Sequence, residues 1–206
     1  NGLTVLVEDL LIVGGSKGTF FAFHIDRRLR VWRRGMPNRL GTPLVKHGTN
    51  VLATDAAGHF ALYNGLTGER LWQNKAFDAI QGTPTVDEDT AYIPSTDQTL
   101  YAIDLATGQD RWLYRTEQRL TKPVHRVGQY VFLAEGQEGV VALDHETGEA
   151  AWRLPQAWKP LTVSDGQILL HMENRLGLVQ ADDGVVISEA ISDPLHSVTV
   201  GPNKSA

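Results

Sequence analysis

Short apolar runs, about four to six residues long and rich in β-branched and aromatic side chains, alternate along the chain with clusters of Gly, Asp, Asn and Ser. Residues 85–114 show the pattern. Thr85-Val86 leads into Asp87-Glu88-Asp89, and Thr90-Ala91-Tyr92-Ile93 into Ser95-Thr96-Asp97-Gln98. Leu100-Tyr101-Ala102-Ile103 then reaches a Thr-Gly turn and Arg111-Trp112-Leu113-Tyr114. Runs of this length between turn residues predict β-strands. No segment sustains an apolar period of 3.6 residues, so little helix is expected.

The pattern repeats. Trp32, Trp72, Trp112 and Trp152 stand at intervals of 72−32 = 40, 112−72 = 40 and 152−112 = 40. Each of the last three ends a similar stretch: Asn64-Gly65-Leu66-Thr67-Gly68 before Trp72, Asp104-Leu105-Ala106-Thr107-Gly108 before Trp112, and Asp144-His145-Glu146-Thr147-Gly148 before Trp152. A Pro recurs upstream, at Pro43, Pro84, Pro123 and Pro160. The first and fifth copies depart from the pattern. Arg28 replaces the turn Gly and His24 the Asp in the first; Ser188 replaces the Trp in the fifth, where Asp183-Gly184 stands for Thr-Gly. Four-stranded units of this length are propeller blades. The expected architecture is all-β: a β-propeller of four-stranded antiparallel blades, about five of them, in one domain over 1–206. The blades span about 1–40, 41–81, 82–121, 122–158 and 159–195, with the opening of a further blade at 196–206.

Each recurring residue has a mechanical reading. Gly68, Gly108 and Gly148 supply the positive φ of a tight hairpin. Asp104 and Asp144 accept hydrogen bonds from the turn's N–H groups, with Asn64 substituting. The Trp ring covers the seam with the next blade. Arg28 and Ser188 predict two looser seams.

The 206 residues hold 19 Lys+Arg and 24 Asp+Glu, a net charge of −5. This balance argues against generic nucleic-acid binding. No stretch approaches 18 uninterrupted apolar residues, so no membrane-spanning helix is expected. The absence of Cys removes disulfides, thiolate metal sites and thiol nucleophiles. Charge is unevenly placed. Residues 1–40 hold seven basic and three acidic side chains, a net of +4, and the other 166 hold 12 and 21, a net of −9. Arg27, Arg28, Arg30, Arg33 and Arg34 form the candidate partner-binding patch; a solvated strand is the plainer alternative. Asp87-Glu88-Asp89 lacks the spacing of a calcium loop and reads as a hairpin tip. The seven His (His24, His47, His59, His125, His145, His171, His196) show no HExxH and read as scattered loop residues. No phosphate cradle or serine-nucleophile elbow is present.

The repeat resembles the quinoprotein-type, or PQQ-like, propeller repeat, Ala-x-Asp-x-x-Thr-Gly-x-x-x-Trp. Ala102–Trp112 and Ala142–Trp152 match it throughout, and Leu62–Trp72 matches except at Leu62 and Asn64. Within that family the chain is similar to the BamB-type outer-membrane assembly lipoproteins, although the lipid-bearing Cys of that type is absent. The resemblance implies a ring of seven or eight blades, of which five units would be an incomplete part. A closed five-bladed ring is the alternative. The chain opens at Asn1 without Met, which reads as a piece of something longer. The family also implies a periplasmic or cell-envelope location in a bacterium. The expected function is a non-catalytic scaffold that binds proteins, such as envelope assembly or transport components, through propeller loops or exposed blade edges. Self-association is expected if the ring is incomplete. No catalytic, cofactor-binding or metal-binding residue is assigned. The alternatives are a fragment of a quinoprotein dehydrogenase, using pyrroloquinoline quinone with Ca²⁺, or a sensor or ligand-binding module of a receptor or kinase.

Overall fold

A computed structural model describes residues 4–15, 17–135, 139–154, 159–164 (backbone only), 166–172 and 174–191. The expected opening of a further blade at 196–206 and His196 lie outside the described residues. Among those described there is no helix, and twenty strands form five antiparallel sheets of four, each in sequence order. Two compact units divide the chain, Asn1–Val124 and His125–Ala206. The first unit holds three blades. Blade 1 comprises β1 (Thr4–Val7), β2 (Leu10–Gly14), β3 (Thr19–His24) and β4 (Leu29–Gly35). Blade 2 comprises β5 (Val45–His47), β6 (Asn50–Thr54), β7 (His59–Asn64) and β8 (Arg70–Lys75). Blade 3 comprises β9 (Thr85–Val86), β10 (Thr90–Pro94), β11 (Thr99–Asp104) and β12 (Asp110–Arg115).

The second unit holds two blades. Blade 4 comprises β13 (His125–Val127), β14 (Tyr130–Ala134), β15 (Val140–Asp144) and β16 (Ala150–Leu154). Blade 5 comprises β17 (Lys159–Ser164), β18 (Gln167–Met172), β19 (Arg175–Gln180) and β20 (Val186–Ile191). The forty-residue interval is therefore one up-and-down sheet plus its connection.

Alternation along each strand gives every blade two apolar faces. Blade 1 turns Val7, Ile12, Phe20 and Trp32 toward Val51, Ala53, Ala61 and Tyr63 of blade 2, and all eight are buried. Blade 2 turns its other face, Leu52, Phe60 and Leu62, toward Ile93, Tyr101 and Ile103 of blade 3. In the second unit Phe132 and Ala142 of blade 4 meet Ile168, Leu170 and Val179 of blade 5. The core is thus a set of seams between sheets, and edge-on aromatic contacts such as Phe20–Tyr63 (4.9 Å between centroids) fill the first of them.

A β-bulge recurs in all five blades where the third and fourth strands pair. The register slips between Ala22 and Phe23, Leu62 and Tyr63, Ala102 and Ile103, Ala142 and Leu143, and Leu178 and Val179. The unpaired residue is the one before the Trp: Val31, Leu71, Arg111 and Ala151, with Ile187 before Ser188 in blade 5. An extra residue there increases local twist and re-aims the next side chain. Every outer strand therefore presents its Trp position through the same local device.

Candidate partner-binding surfaces

The seams define which surfaces remain free. Trp32 donates its indole N–H to the Gly65 carbonyl at 3.0 Å, and Trp72 to the Leu105 carbonyl at 2.8 Å. In the second unit Trp152 donates to the Ala181 carbonyl at 3.0 Å. Each acceptor lies in the turn between the third and fourth strands of the following blade. The ring also lies flat against that turn's glycine. A Cβ on Gly68, Gly108 or Gly184 would fall 2.7 Å from an indole carbon of Trp32, Trp72 or Trp152. Two demands thus meet at one residue. The turn needs positive φ, which is 70°, 76°, 75° and 73° at Gly68, Gly108, Gly148 and Gly184. At the three seams the indole also needs the space where a side chain would begin. Two residues past the Trp, a second side chain reaches the same turn: Arg34 Nε donates to the Gly68 carbonyl at 2.6 Å, and the Asn74 amide donates to the Gly108 carbonyl.

The turn itself is closed as the Asp positions suggest. Asp104 Oδ1 accepts from Ala106 N–H (3.1 Å) and Thr107 N–H (2.8 Å), and Asp144 Oδ1 from Glu146 and Thr147. Asn64 Oδ1 does the same for Leu66 and Thr67. Arg111 bridges Asp104 (2.7 Å) to Asp89 (2.9 Å). The Arg111 guanidinium and the Thr107 donors hold the Asp104 carboxyl down at about 2. In blade 5 Asp183 Oδ1 takes the Val185 N–H at 3.0 Å, the part Thr107 plays for Gln109. Asp87 caps the β9–β10 hairpin by accepting from Thr90 N–H at 2.9 Å, so the acidic trio is a hairpin tip.

The five candidate arginines lie on the β3–β4 turn and on β4 of blade 1. Arg28 occupies the glycine position with φ 53°, and its N–H donates to the His24 carbonyl at 2.9 Å, so the turn keeps its shape with a side chain in place. Arg27, Arg28, Arg30 and Arg33 are exposed and make no ion pair with a carboxylate among the described residues. Arg34 is also exposed, but its guanidinium is engaged in the seam with blade 2. The register places Phe23 opposite Arg30 and Phe21 opposite Arg33. The arginines thus edge an apolar sheet face. Leu6 on this face is 49% exposed and Phe23 38%, and Phe21 and Phe23 pack edge-on at 5.5 Å.

Other features carry no clear sequence signature. Asp55 is fully buried between β6 and β7. It accepts from the backbone N–H groups of Asn38, Ala57 and His59, from the Asn38 amide, and pairs with His59 Nδ1 at 2.9 Å. Burial pushes its carboxyl up, but these donors outweigh burial and hold it below its usual value. The cluster ties the β4–β5 connection to the β6–β7 hairpin. In blade 3 Asp97 serves a similar purpose, accepting from Phe77 N–H and from the Tyr101 hydroxyl at 2.6 Å. Burial and Asp97 push that phenol to about 12. Phe77 itself is 95% exposed, beside a groove of about 570 Å³ lined by Phe60, Lys75, Tyr101, Asp110 and Leu113. Of the histidines, His59 pairs with Asp55 and His125 is half-buried, its pKa lowered by burial. Among the described residues no group of three or more His, Asp or Glu is arranged to hold a metal ion.

The profile of the family described as outer membrane protein assembly factor BamB matches residues 1–130 and 115–188. The chain belongs to this family. A BamB of Shewanella oneidensis is 24% identical over 90% of this chain and 55% of its own length. The chain spans about half the length of the curated BamB relatives it matches. The crystal structure of BamB from Moraxella catarrhalis superposes with a TM-score of 0.76 at 24% identity, over 97% of this chain and 64% of that one. A quinohemoprotein alcohol dehydrogenase from Comamonas testosteroni superposes at 0.73 with 14% identity, over 93% and 42%, a likeness of fold alone. The blades are therefore those of a BamB-family, PQQ-like β-propeller.

Proposed function

We propose that this BamB-family chain is a non-catalytic scaffold of the bacterial envelope, placed in the periplasm, that binds protein partners of outer-membrane protein assembly. Family membership carries the reading. The distribution of chemistry supports it: the recurring Asp and Gly residues are consumed by hairpin turns, and Trp32, Trp72 and Trp152 by seams. What the repeat leaves over is surface. Exposed Arg27, Arg28, Arg30 and Arg33 edge blade 1, and Phe77 stands free above the groove between blades 2 and 3. Rigid sheets carrying exposed aromatic and arginine side chains suit protein recognition, because both residue types give large contact area and directional bonds.

The test is co-purification. The chain, tagged and exported to the periplasm of a Gram-negative strain lacking its own BamB, is expected to retain components of the outer-membrane assembly complex. Phe77→Asp or the combined Arg→Gln changes at 27, 30 and 33 should reduce retention with an unchanged melting temperature. Elution of a folded chain without those components would overturn the reading. So would quinone- and Ca²⁺-dependent oxidation of an alcohol by the purified chain.

A further inference from the structure

Asn-Gly is the dipeptide at which an asparagine side chain is most open to attack by the following backbone nitrogen, because glycine puts no side chain in the way. It occurs twice in the chain, at Asn1-Gly2, outside the described residues, and at Asn64-Gly65. The second lies in the β7–β8 turn, within the seam between blades 1 and 2. Asn64 holds the place of Asp104 and Asp144 and makes their bonds, its Oδ1 accepting from Leu66 N–H at 2.9 Å and Thr67 N–H at 3.0 Å. Gly65 stands where blades 3 and 4 carry Leu105 and His145. A Cβ on Gly65 would fall 2.6 Å from the Thr49 carbonyl oxygen and 3.1 Å from both Cγ atoms of Val7, a fully buried residue of blade 1. Close packing of the two blades therefore requires the glycine, and the labile dipeptide comes with it.

The folded turn blocks this chemistry. The reaction needs a free Gly65 nitrogen and an Asn64 Cγ turned toward it. Here the Gly65 N–H donates to the Thr49 carbonyl at 2.8 Å, and the Asn64 side chain is held over the turn by its two N–H bonds. The Asn64 N–H donates to the Glu69 carbonyl, and the Asn64 carbonyl accepts from Gly68 N–H, both at 2.8 Å. From blade 1, Trp32 donates to the Gly65 carbonyl at 3.0 Å, and its ring lies against Gly68. Every backbone polar group of the dipeptide is thus engaged, and the Gly65 carbonyl is released only when the Trp32 seam opens. Such local opening has its own free energy, below that of global unfolding.

We infer that Asn64 is a modification site gated by the seam between blades 1 and 2: its amide is lost as ammonia when the seam opens and stays intact while the seam is closed. In the open turn the Gly65 nitrogen gives its proton to water and bonds to Asn64 Cγ. The Cγ–Nδ2 bond breaks, and the amide nitrogen leaves as ammonia with a proton taken from water. The cyclic imide that results then adds water. Opening at the side-chain carbonyl gives aspartate, the residue type that closes the same turn at Asp104 and Asp144. Opening at the backbone carbonyl gives isoaspartate, whose main chain runs through an extra carbon and cannot keep the turn's bonds to Glu69 and Gly68. One product restores the turn in the form the repeat uses elsewhere, and the other leaves the seam impaired. This inference goes beyond the scaffold reading and fails separately from it, because it is measured on the chain without any envelope partner.

The experiment follows Asn64 in the purified whole chain at mildly alkaline pH. Peptide mass spectrometry with fragmentation separates it from Asn50, and a methyltransferase that labels isoaspartate distinguishes the two products. Conversion in the folded chain should be slower than in the urea-unfolded chain by about a hundredfold or more, the factor set by the opening equilibrium. Trp32→Ala should raise the folded-chain rate about tenfold or more. Trp152→Ala, at the seam between blades 4 and 5, should leave it unchanged. In the parent chain, which keeps Trp32, urea below the unfolding transition should raise the rate progressively. Asn64→Asp should melt no lower than the parent, and a lower melting temperature would overturn the claim that aspartate restores the turn. Equal rates in the folded and unfolded chains would overturn the inference. So would a rate that neither Trp32→Ala nor urea below the transition increases, or one that Trp152→Ala raises as much as Trp32→Ala.

Discussion

Blades 1 and 2 share a strand order, a bulge position and a turn geometry, yet one buries both faces and the other buries one. Tyr63 of blade 2 is 2% exposed, its hydroxyl reaching Met36 Sδ, while Phe23 at the same place in blade 1 is 38% exposed. The strands do not account for the difference, since both sheets pair in the same register. What differs is the neighbour: the Trp-bearing face of blade 1 covers blade 2, and among the described residues no such face covers blade 1. Blade 2 offers Gly68 beneath the Trp32 ring; blade 1 offers Arg28. A blade in this chain is thus two separable things: a hairpin sheet that local residues close, and a seam that needs a Trp on one side and a bare glycine on the other. Blade 1 keeps the first and changes the second, and its surplus arginines stand where the change was made.

The comparison can be broken most forcefully at the seam. Trp32→Ala removes a buried ring and its bond to Gly65, and should cost about 3–5 kcal/mol in chemical denaturation. The paired change at the uncovered face, Phe23→Ala, should cost less, about 1–2 kcal/mol, because 38% of that residue is already exposed. Equal losses at Tyr63→Ala and Phe23→Ala would mean that the two faces are not different in kind.

The glycine position gives the next largest effect. Gly68→Ala brings a Cβ to 2.7 Å from Trp32 at φ 70° and should cost about 2–3 kcal/mol. Arg28→Gly, the reverse change in blade 1, should leave the isolated chain equally stable or stabilise it by about 1 kcal/mol, since it relieves a positive φ. Asp55→Ala should cost about 1–3 kcal/mol by leaving buried donors of Asn38, Ala57 and His59 without an acceptor. Blade 1 has Gly15 at that place, so no equivalent loss exists there.

Acid sharpens the contrast further. The Asp104 carboxyl is held down at about 2, below its usual 3.8, chiefly by Arg111 and Thr107. Its contribution is complete above about pH 4 and is lost as pH falls toward 2, because the unfolded chain takes up the proton first. Asp104→Asn should flatten that part of the stability curve. Blade 1 carries His24 in this position and has no carboxylate to protonate there.

Much of this architecture was legible from the residues. The Trp interval announced the blades, the Thr-Gly stretch announced the turns, and Asp104, Asp144 and Asn64 make the N–H bonds their side chains suggested. Legibility ended where the repeat stops repeating. The Asp55 cluster escaped because its place is taken by Gly15, Ser95 and Glu135 in blades 1, 3 and 4. The bonds of Arg34 and Asn74 escaped for the same reason, since two residues past the Trp the chain reads Arg34, Asn74, Tyr114 and Leu154. Arg34 was grouped with its neighbours as a surface charge, and only its reach across thirty-four residues to Gly68 shows its second role. The double duty of the turn glycine also needed coordinates: a positive φ can be expected from a turn sequence, but an indole lying against the Cα cannot.

The claim beneath all of this is that ring and glycine act as one joint, and a double-mutant cycle on Trp32 and Gly68 tests it. Gly68→Ala should cost much less once Trp32 is Ala than in the parent chain, with a coupling of about 1 kcal/mol or more. Costs that add to within about 0.5 kcal/mol would show that the two residues act independently, and would contradict the account.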